Sequence, residues 1–297
     1  MHENHSALIA PARTTNWSTV PVVDRIDDPR LADIVALSER SIRDRTGSFL
    51  IEGLRFVNFA LEKGLPIDTI VYCPTDLKHP LSRSIVSDLS RRGVPSIATS
   101  SSVLLSLANR EDPQGLIAVT RQFTQPLAMS TPSSGLCWIA VDTIQSPGNL
   151  GTLMRTADCV GAAGVILIGH SVDPYDPGCV RGSMGAIFHQ RIVRSEFEEM
   201  LDWSRRHRAM IVGTSPSARR DYHCVRYDRP VILYLGCERK GIDEARQRDC
   251  DLMVRIPMVG RSDSLNVSVA GSVMLYEMFN QKRRIVDGGR GGNRRGR

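Results

Sequence analysis

The pattern of apolar and polar positions divides the chain into two stretches in which short apolar runs alternate with longer segments of helical period. Residues 1–27 carry no such period and read as an irregular lead-in. Regularity starts at Asp28. Leu31, Ile34, Val35 and Leu37 fall on one side of a helix expected over residues 29–45, with charged side chains opposite. Strands over 48–51, 69–72, 96–98 and 115–120 follow, alternating with helices over 55–63, 81–91 and 101–107. This is the alternation of a small α/β domain over residues 28–121. Residues 122–135, rich in Pro, Ser and Thr, read as a linker. A second α/β domain covers 136–281, with strands over 136–141, 165–168, 209–213, 231–235 and 252–256. Each is a short apolar run bounded by Gly, Pro or polar residues, as buried parallel strands tend to be. A helix over 266–281 closes the domain. Val267, Val269, Val273, Met274, Leu275 and Met278 surround it, so it is expected to be buried on more than one face.

Composition narrows the class. With 41% hydrophobic and 24% charged residues, the 297-residue chain has the make-up of a soluble protein with two cores. The aromatic fraction, 5%, is too low for a base-stacking surface to be the main hold on a nucleic acid. No apolar run is long enough to cross a bilayer, and the polar start (His2, Glu3, His5) does not read as a signal peptide. Seven cysteines without a Cys-x-x-Cys pair argue against a disulfide framework and against zinc. A cytoplasmic location without membrane or metal is the expectation. The net charge of +6 matters once it is located: residues 282–297 hold seven basic residues and one acidic, and the remainder is neutral. Too poor in apolar residues to build a core, this Gly/Arg-rich tail is expected to be disordered and to meet RNA phosphates; the plainer reading is a solubilising terminus.

Three segments of the second domain carry candidate chemistry, each beginning where a strand ends. In residues 141–164, Pro147 and Gly148 make a turn and Asn149 is placed to cap the next helix. Leu150, Leu153, Met154, Ala157 and Val160 form its core stripe. Arg155 lies on the other side among Gly151, Thr152, Cys159 and Ala162, small residues suited to close approach by another surface. A surface pair of Arg155 with Asp158 would explain none of them. In residues 231–242 a strand ends at Gly236, with Glu238 at the tip. A glycine there lets a ligand approach the backbone closely. In residues 255–279 a strand ends at Ile256 and Pro257, and Ser264, an apt N-cap, precedes the helix together with Leu265 and Asn266.

Together the three segments resemble the sequence motifs of the SpoU/TrmH family of RNA ribose 2′-O-methyltransferases. Asn149 with Arg155, Gly236 with Glu238, and Ile256, Pro257, Ser264, Leu265 and Asn266 occur in the family's order. Residues 28–121 are similar, more weakly, to the L30e-like RNA-binding domain that precedes the catalytic domain in many members. The resemblance implies a SPOUT fold, a parallel sheet whose C-terminal segment is threaded into a trefoil knot. It implies a homodimer with the active site at the subunit interface, which agrees with the small-residue face around Arg155. It implies S-adenosylmethionine held largely by backbone groups near Thr214, Leu235, Gly236, Ile256, Met258 and Leu265.

The implied reaction is attack of a ribose 2′-hydroxyl of structured RNA on the cofactor's methyl group. Arg155 is the residue the family match offers as activator. A guanidinium hardly ever loses its proton, so it suits a phosphate clamp and stabiliser of the developing alkoxide better than a base. Asn149 and Glu238 would orient Arg155 or the ribose, Ser264 and Asn266 would shape the substrate pocket, and Arg181 would join Arg155 on RNA. The N-terminal domain points to large-subunit (23S) ribosomal RNA. The alternatives are tRNA as substrate, a knotted base methyltransferase, and a non-catalytic RNA-binding or ribosome-assembly protein.

Overall fold

The computed structural model describes residue 17 and residues 20–108, 114–238 and 240–291. Contacts within the chain divide it after Arg121 into two compact units. In the first, a turn of 3-10 helix, Pro29–Leu31, capped by the Asp28 carboxylate, leads into α1 (Ala32–Ala36) and then α2 (Arg40–Thr46). The single helix expected over 29–45 is therefore broken. Glu39 is extended, and Arg43, only 2% exposed, folds back to donate from Nη1 to the carbonyls of Leu37 (2.9 Å) and Ser38 (2.7 Å). The guanidinium occupies carbonyls left open where the first segment stops. The apolar stripe likewise ends at Leu37, which is buried.

β1 (Ser48–Glu52), α3 (Leu54–Glu62), β2 (Ile67–Tyr72), α4 (Pro80–Arg91), β3 (Ser96–Ala98), α5 (Ser101–Ala108) and β4 (Leu116–Arg121) complete the unit. The strands form a sheet in the order β1-β4-β2-β3, with β4 antiparallel to both neighbours and β3 parallel to β2. Leu31, Ile34 and Leu37 pack with Val71, Val103, Leu104 and Ile117 in its core. The lead-in is not wholly irregular. Buried Val23 bridges to Thr99 in parallel and donates its N–H to the Ala98 carbonyl (2.8 Å), extending the sheet beyond β3. Residues 1–16 of the lead-in lie outside the described residues.

The second unit runs β5 (Trp138–Asp142), α6 (Pro147–Cys159), β6 (Gly164–Ile168), α7 (Pro177–Gly182), β7 (Arg191–Ser195), α8 (Phe197–Arg206), β8 (Met210–Thr214), β9 (Arg220–Asp221), β10 (Val231–Leu235), α9 (Glu244–Asp249), β11 (Leu252–Arg255) and α10 (Val267–Gly291). Its sheet is parallel throughout, in the order β7-β6-β5-β10-β8-β11-β9. Every residue of β5, β6 and β10 is buried, as apolar strands covered on both faces require. On one face Trp138, Ala140, Ile232 and Tyr234 pack with Phe197, Met200 and Trp203 of α8. On the other lie α6 and α10, which pack on each other and, through α10, on β10.

Two strands are absent from the sequence reading. β7 has only two consecutive buried residues, Ile192 and Val193, between exposed Arg191 and Arg194, and β9 is a two-residue edge strand. The linker is not free either: Leu127 is buried in the core of this unit, the Gln125 N–H donates to the Ile192 carbonyl (3.0 Å), and Trp138 Nε1 donates to the Thr131 carbonyl (3.0 Å). α10 continues past Gln281 to Gly291, so the first part of the tail expected to be unstructured is helical. Lys282, Arg283 and Arg284 are good helix formers, and Lys282 Nζ reaches the Gly135 carbonyl (3.3 Å). Residues 292–297 lie outside the described residues. Among the described residues no helix is long and apolar enough to cross a membrane.

Candidate active site

β8, β10 and β11 are adjacent and parallel, so their carboxyl ends open on one edge of the sheet, where open parallel sheets bind ligands. The loops that follow them, with the start of α10, enclose a cavity of about 450 Å³. Thr214, Leu235, Gly236, Ile256, Met258 and Leu265 all line it, as do Glu238 and Ser264. Gly236 also answers a demand internal to the chain, besides the ligand approach inferred from sequence. Its loop turns back at once, with the Gly241 N–H donating to the Cys237 carbonyl (2.8 Å) and Gly241 at φ +66°. A Cβ on Gly236 would sit 2.4 Å from the Gly241 carbonyl carbon, so it is the loop's own return that needs a glycine.

At the rim of this cavity three loops are joined by side-chain amides. Ser146, not Asn149, caps α6: its Oγ accepts from the Asn149 N–H (3.3 Å), and Pro147 takes the first helical position. The Asn149 side chain is thereby free. Its Nδ2 donates to Glu238 Oε1 (2.9 Å), which also accepts from the Ser146 N–H (3.3 Å), and its Oδ1 accepts from Asn266 Nδ2 (3.1 Å). The Glu238 carboxylate thus sits against the positive end of α6. Asn266, not Ser264, performs the cap on α10, with its Oδ1 accepting from the Ser268 N–H (2.9 Å) and the Ser268 hydroxyl (2.7 Å). Ser264 is exposed and donates to Asp263 Oδ1 (3.2 Å). A single residue in each of three sequence segments, Asn149, Glu238 and Asn266, is drawn to one point.

Arg155 and Arg181 stand apart from the cavity lining. Both are exposed, on α6 and α7, and neither forms an ion pair among the described residues; Asp158 does not pair with Arg155. The face around Arg155 is only partly the open one expected. Thr152 and Cys159 are exposed and Ala162 is half-buried, but Gly151 is buried under α7, where a Cβ would lie 2.5 Å from the Cys179 carbonyl oxygen. Gly151 serves helix packing within the chain. The core stripe of α6 is buried as read, and Leu153 meets α10 where Gly271 lets the helices close: a Cβ there would be 2.6 Å from Leu153 Cδ1. α10 buries Met274, Leu275 and Met278 but leaves Val269 and Tyr276 each 47% exposed, two turns apart on one side.

Sequence reasoning passed over one further cluster. Asp142 ends β5 and is nearly buried. Its Oδ2 accepts from the Tyr234 hydroxyl (2.6 Å) and from Arg246 Nη1, and its Oδ1 accepts from the Thr143 hydroxyl (2.7 Å). Burial pushes the Tyr234 hydroxyl far above its ordinary range, so it stays a donor. The signal was a polar residue on each of two otherwise apolar strands. Burial raises the Cys137 and Cys250 thiols to about 12, and Cys179 well above its usual value, so these three are not nucleophiles.

Residues 137–276 match the SpoU rRNA Methylase family, and residues 28–118 match the MRM3-like substrate binding domain. The 23S rRNA (uridine(2479)-2′-O)-methyltransferase of Streptomyces viridochromogenes is 33% identical over 253 residues, 83% of this chain and 87% of that protein. The 23S rRNA (guanosine(2553)-2′-O)-methyltransferase RlmP of Bacillus subtilis is 28% identical over 257 residues, covering 86% and 98%. Among solved structures, the AdoMet-bound rRNA methyltransferase from Sinorhizobium meliloti superimposes with a TM-score of 0.80 at 34% identity, covering 88% of this chain and 97% of that one.

Proposed function

The chain belongs to the SpoU rRNA methylase family, and from this premise we infer that it methylates a ribose 2′-hydroxyl of RNA with S-adenosylmethionine, its substrate being large-subunit ribosomal RNA. The observation that carries the reading is the joining of Asn149, Glu238 and Asn266 at the rim of a cavity at the carboxyl ends of β8, β10 and β11. The cavity fits the cofactor: about 450 Å³ lies within the range of roughly 300–1,000 Å³ typical of small-molecule sites. Thr214, Leu235, Gly236, Ile256, Met258 and Leu265 would hold it, chiefly through loop backbone. Bound there, S-adenosylmethionine supplies an electrophilic methyl group.

The chain's own part is to place and polarise the ribose hydroxyl. Arg155, exposed and without an ion partner among the described residues, is a fixed positive charge available to an RNA phosphate and to the oxygen that gains charge during attack. Arg181 adds a second phosphate contact. Asn149 and Glu238 orient the ribose, Asn266 holds Asn149, and Ser264 presents its hydroxyl at the cavity. Arg155 does not line the cavity of its own chain, and the uncovered Val269 and Tyr276 lie on the helix that packs against α6. These features support a homodimer in which Arg155 serves the partner's cavity. The family reading also carries the trefoil knot, formed by the segment after β11, and a cytoplasmic setting.

The test is transfer of labelled methyl from S-adenosylmethionine to ribosomal RNA, assembled large subunits and tRNA, with the modified nucleotide located by mass spectrometry. A ribose methyl on 23S RNA is the expected result. Methylation of tRNA alone would move the substrate, a methylated base would replace the chemistry, and cofactor binding without any transfer would favour a ribosome-assembly role.

A further inference from the structure

Cys237, Glu238, Lys240, Gly241, Ile242 and Gln247 form one wall of the cavity. α9, within that wall, is a six-residue helix with no buried residue of its own, too short to hold its place by propensity. Yet it carries Gln247, which lines the cavity and whose Nε2 donates to the Ile242 carbonyl (2.6 Å), and Ile242 also lines it. The fixture for this helix is Arg246. Its guanidinium bonds the Asp142 carboxylate at the end of β5, lies 5.0 Å from the centre of the Phe197 ring of α8, and stands 3.6 Å from Asp243. Asp243 in turn caps α9 through its Oδ1, which accepts from the Arg246 N–H (2.9 Å).

Asp142 has a side chain only 8% exposed. A carboxylate so placed is tolerated only when its lone pairs are filled, and here Tyr234, Thr143 and Arg246 fill them. The cluster therefore has a strong preference for one geometry. Because Asp142 and Tyr234 sit on the adjacent central strands β5 and β10, that geometry is referred to the fully buried centre of the sheet. At its other end the same wall is held by Glu238 on Asn149.

We propose that Asp142 and Arg246 are positioning residues for the cofactor: they touch no part of the cavity, but they anchor the wall carrying Ile242 and Gln247 and so set the affinity for S-adenosylmethionine. This rests on the cofactor reading above.

The test uses full-length protein with Arg246→Lys, which keeps the charge but loses the fork, and Tyr234→Phe, which leaves the ion pair intact. Cofactor binding is measured by calorimetry well below each variant's unfolding temperature, with amide exchange across residues 237–249 on the same samples. Losing one charge-assisted hydrogen bond should weaken binding about tenfold in Arg246→Lys and about threefold in Tyr234→Phe. KM for the cofactor should rise in step while kcat at saturation stays within about twofold, exchange should speed up in 241–249, and RNA affinity should hold. Cofactor affinity within about twofold of wild type in both variants overturns the proposal. So does a fall in RNA affinity parallel to that in cofactor affinity, the mark of general loosening. Wild-type protein that binds no S-adenosylmethionine overturns the cofactor reading instead, and the exchange result then decides whether the anchor exists.

Discussion

Replacing Asn149 by Asp would exchange one nitrogen for an oxygen and reverse an interaction. In the native site Asn149 Nδ2 donates to Glu238 Oε1 across 2.9 Å; in the variant a second carboxylate oxygen occupies that position. Two unit charges at that separation repel by about 1.4 kcal/mol at the dielectric of water and about 6 kcal/mol at an effective dielectric of about 20. Glu238 is exposed and Asn149 half-buried, which places the value near the lower figure, about 2 kcal/mol once the lost hydrogen bond is included. For a unit of this size the unfolding temperature should fall by about 4–8 °C at pH 7.5. The pH dependence has a definite sign. One of the two carboxyls acquires a folded pKa above its unfolded value, so the penalty is full at neutral pH and shrinks as the pH falls through that raised pKa. Paired thermal scans of wild type and variant at pH 7.5 and pH 5 measure it. A shift of under about 1 °C at pH 7.5, or a gap that fails to narrow at pH 5, refutes the geometry assigned to Asn149 and Glu238.

Arg155→Ala should fold and bind S-adenosylmethionine normally while methyl transfer falls by about a hundredfold or more, the scale of losing a preorganised charge; near-normal turnover removes Arg155 from the mechanism. The protein should scatter light as a dimer of twice its 32.9 kDa, and mixing Arg155→Ala chains with Gly236→Trp chains should restore part of the activity if sites are shared. A fully active monomer excludes the dimer, and dimerisation without complementation excludes only the shared site. Truncation after Gln281 should weaken RNA binding and flatten its salt dependence without changing cofactor affinity, and an unchanged salt slope returns the basic tail to a solubilising role.

What the sequence made legible follows from the range of the forces involved. Strands announce themselves as short apolar runs whether fully buried like β10 or only partly like β11, so β8, β10 and β11 are legible to within a residue or two, whereas β7, with charges at both ends of a two-residue core, is not. The helix over 29–45 was extended through a break because the side chain that makes the break, Arg43, looks from sequence like one more solvated charge. Caps were misassigned for a related reason. Ser146 and Asn149 are both good capping residues, and only the position of Pro147 at the first turn decides between them. The cavity residues came through the family resemblance and not through pattern. Asp142 and Tyr234 stand out as polar residues on apolar strands, but the pairing of Asp142 with Arg246 spans 104 positions and only the fold brings the two together.

The strand order has a consequence for how the protein is made. β10 lies between β5 and β8, so it is the piece that joins the two halves of the sheet, yet the chain reaches it late. As synthesis proceeds, β5, β6 and β7 can assemble first, leaving the apolar edge of β5 without its partner until Val231 and its neighbours leave the ribosome. About 90 residues intervene, roughly 5–20 seconds of translation at about 5–20 residues per second. For that interval the nascent domain displays an open strand edge whose residues are apolar from Trp138 to Val141, the feature most prone to pairing with another chain. The protein's exposure to aggregation is thus concentrated before β10 arrives, and slower translation of the 143–230 stretch would lengthen it.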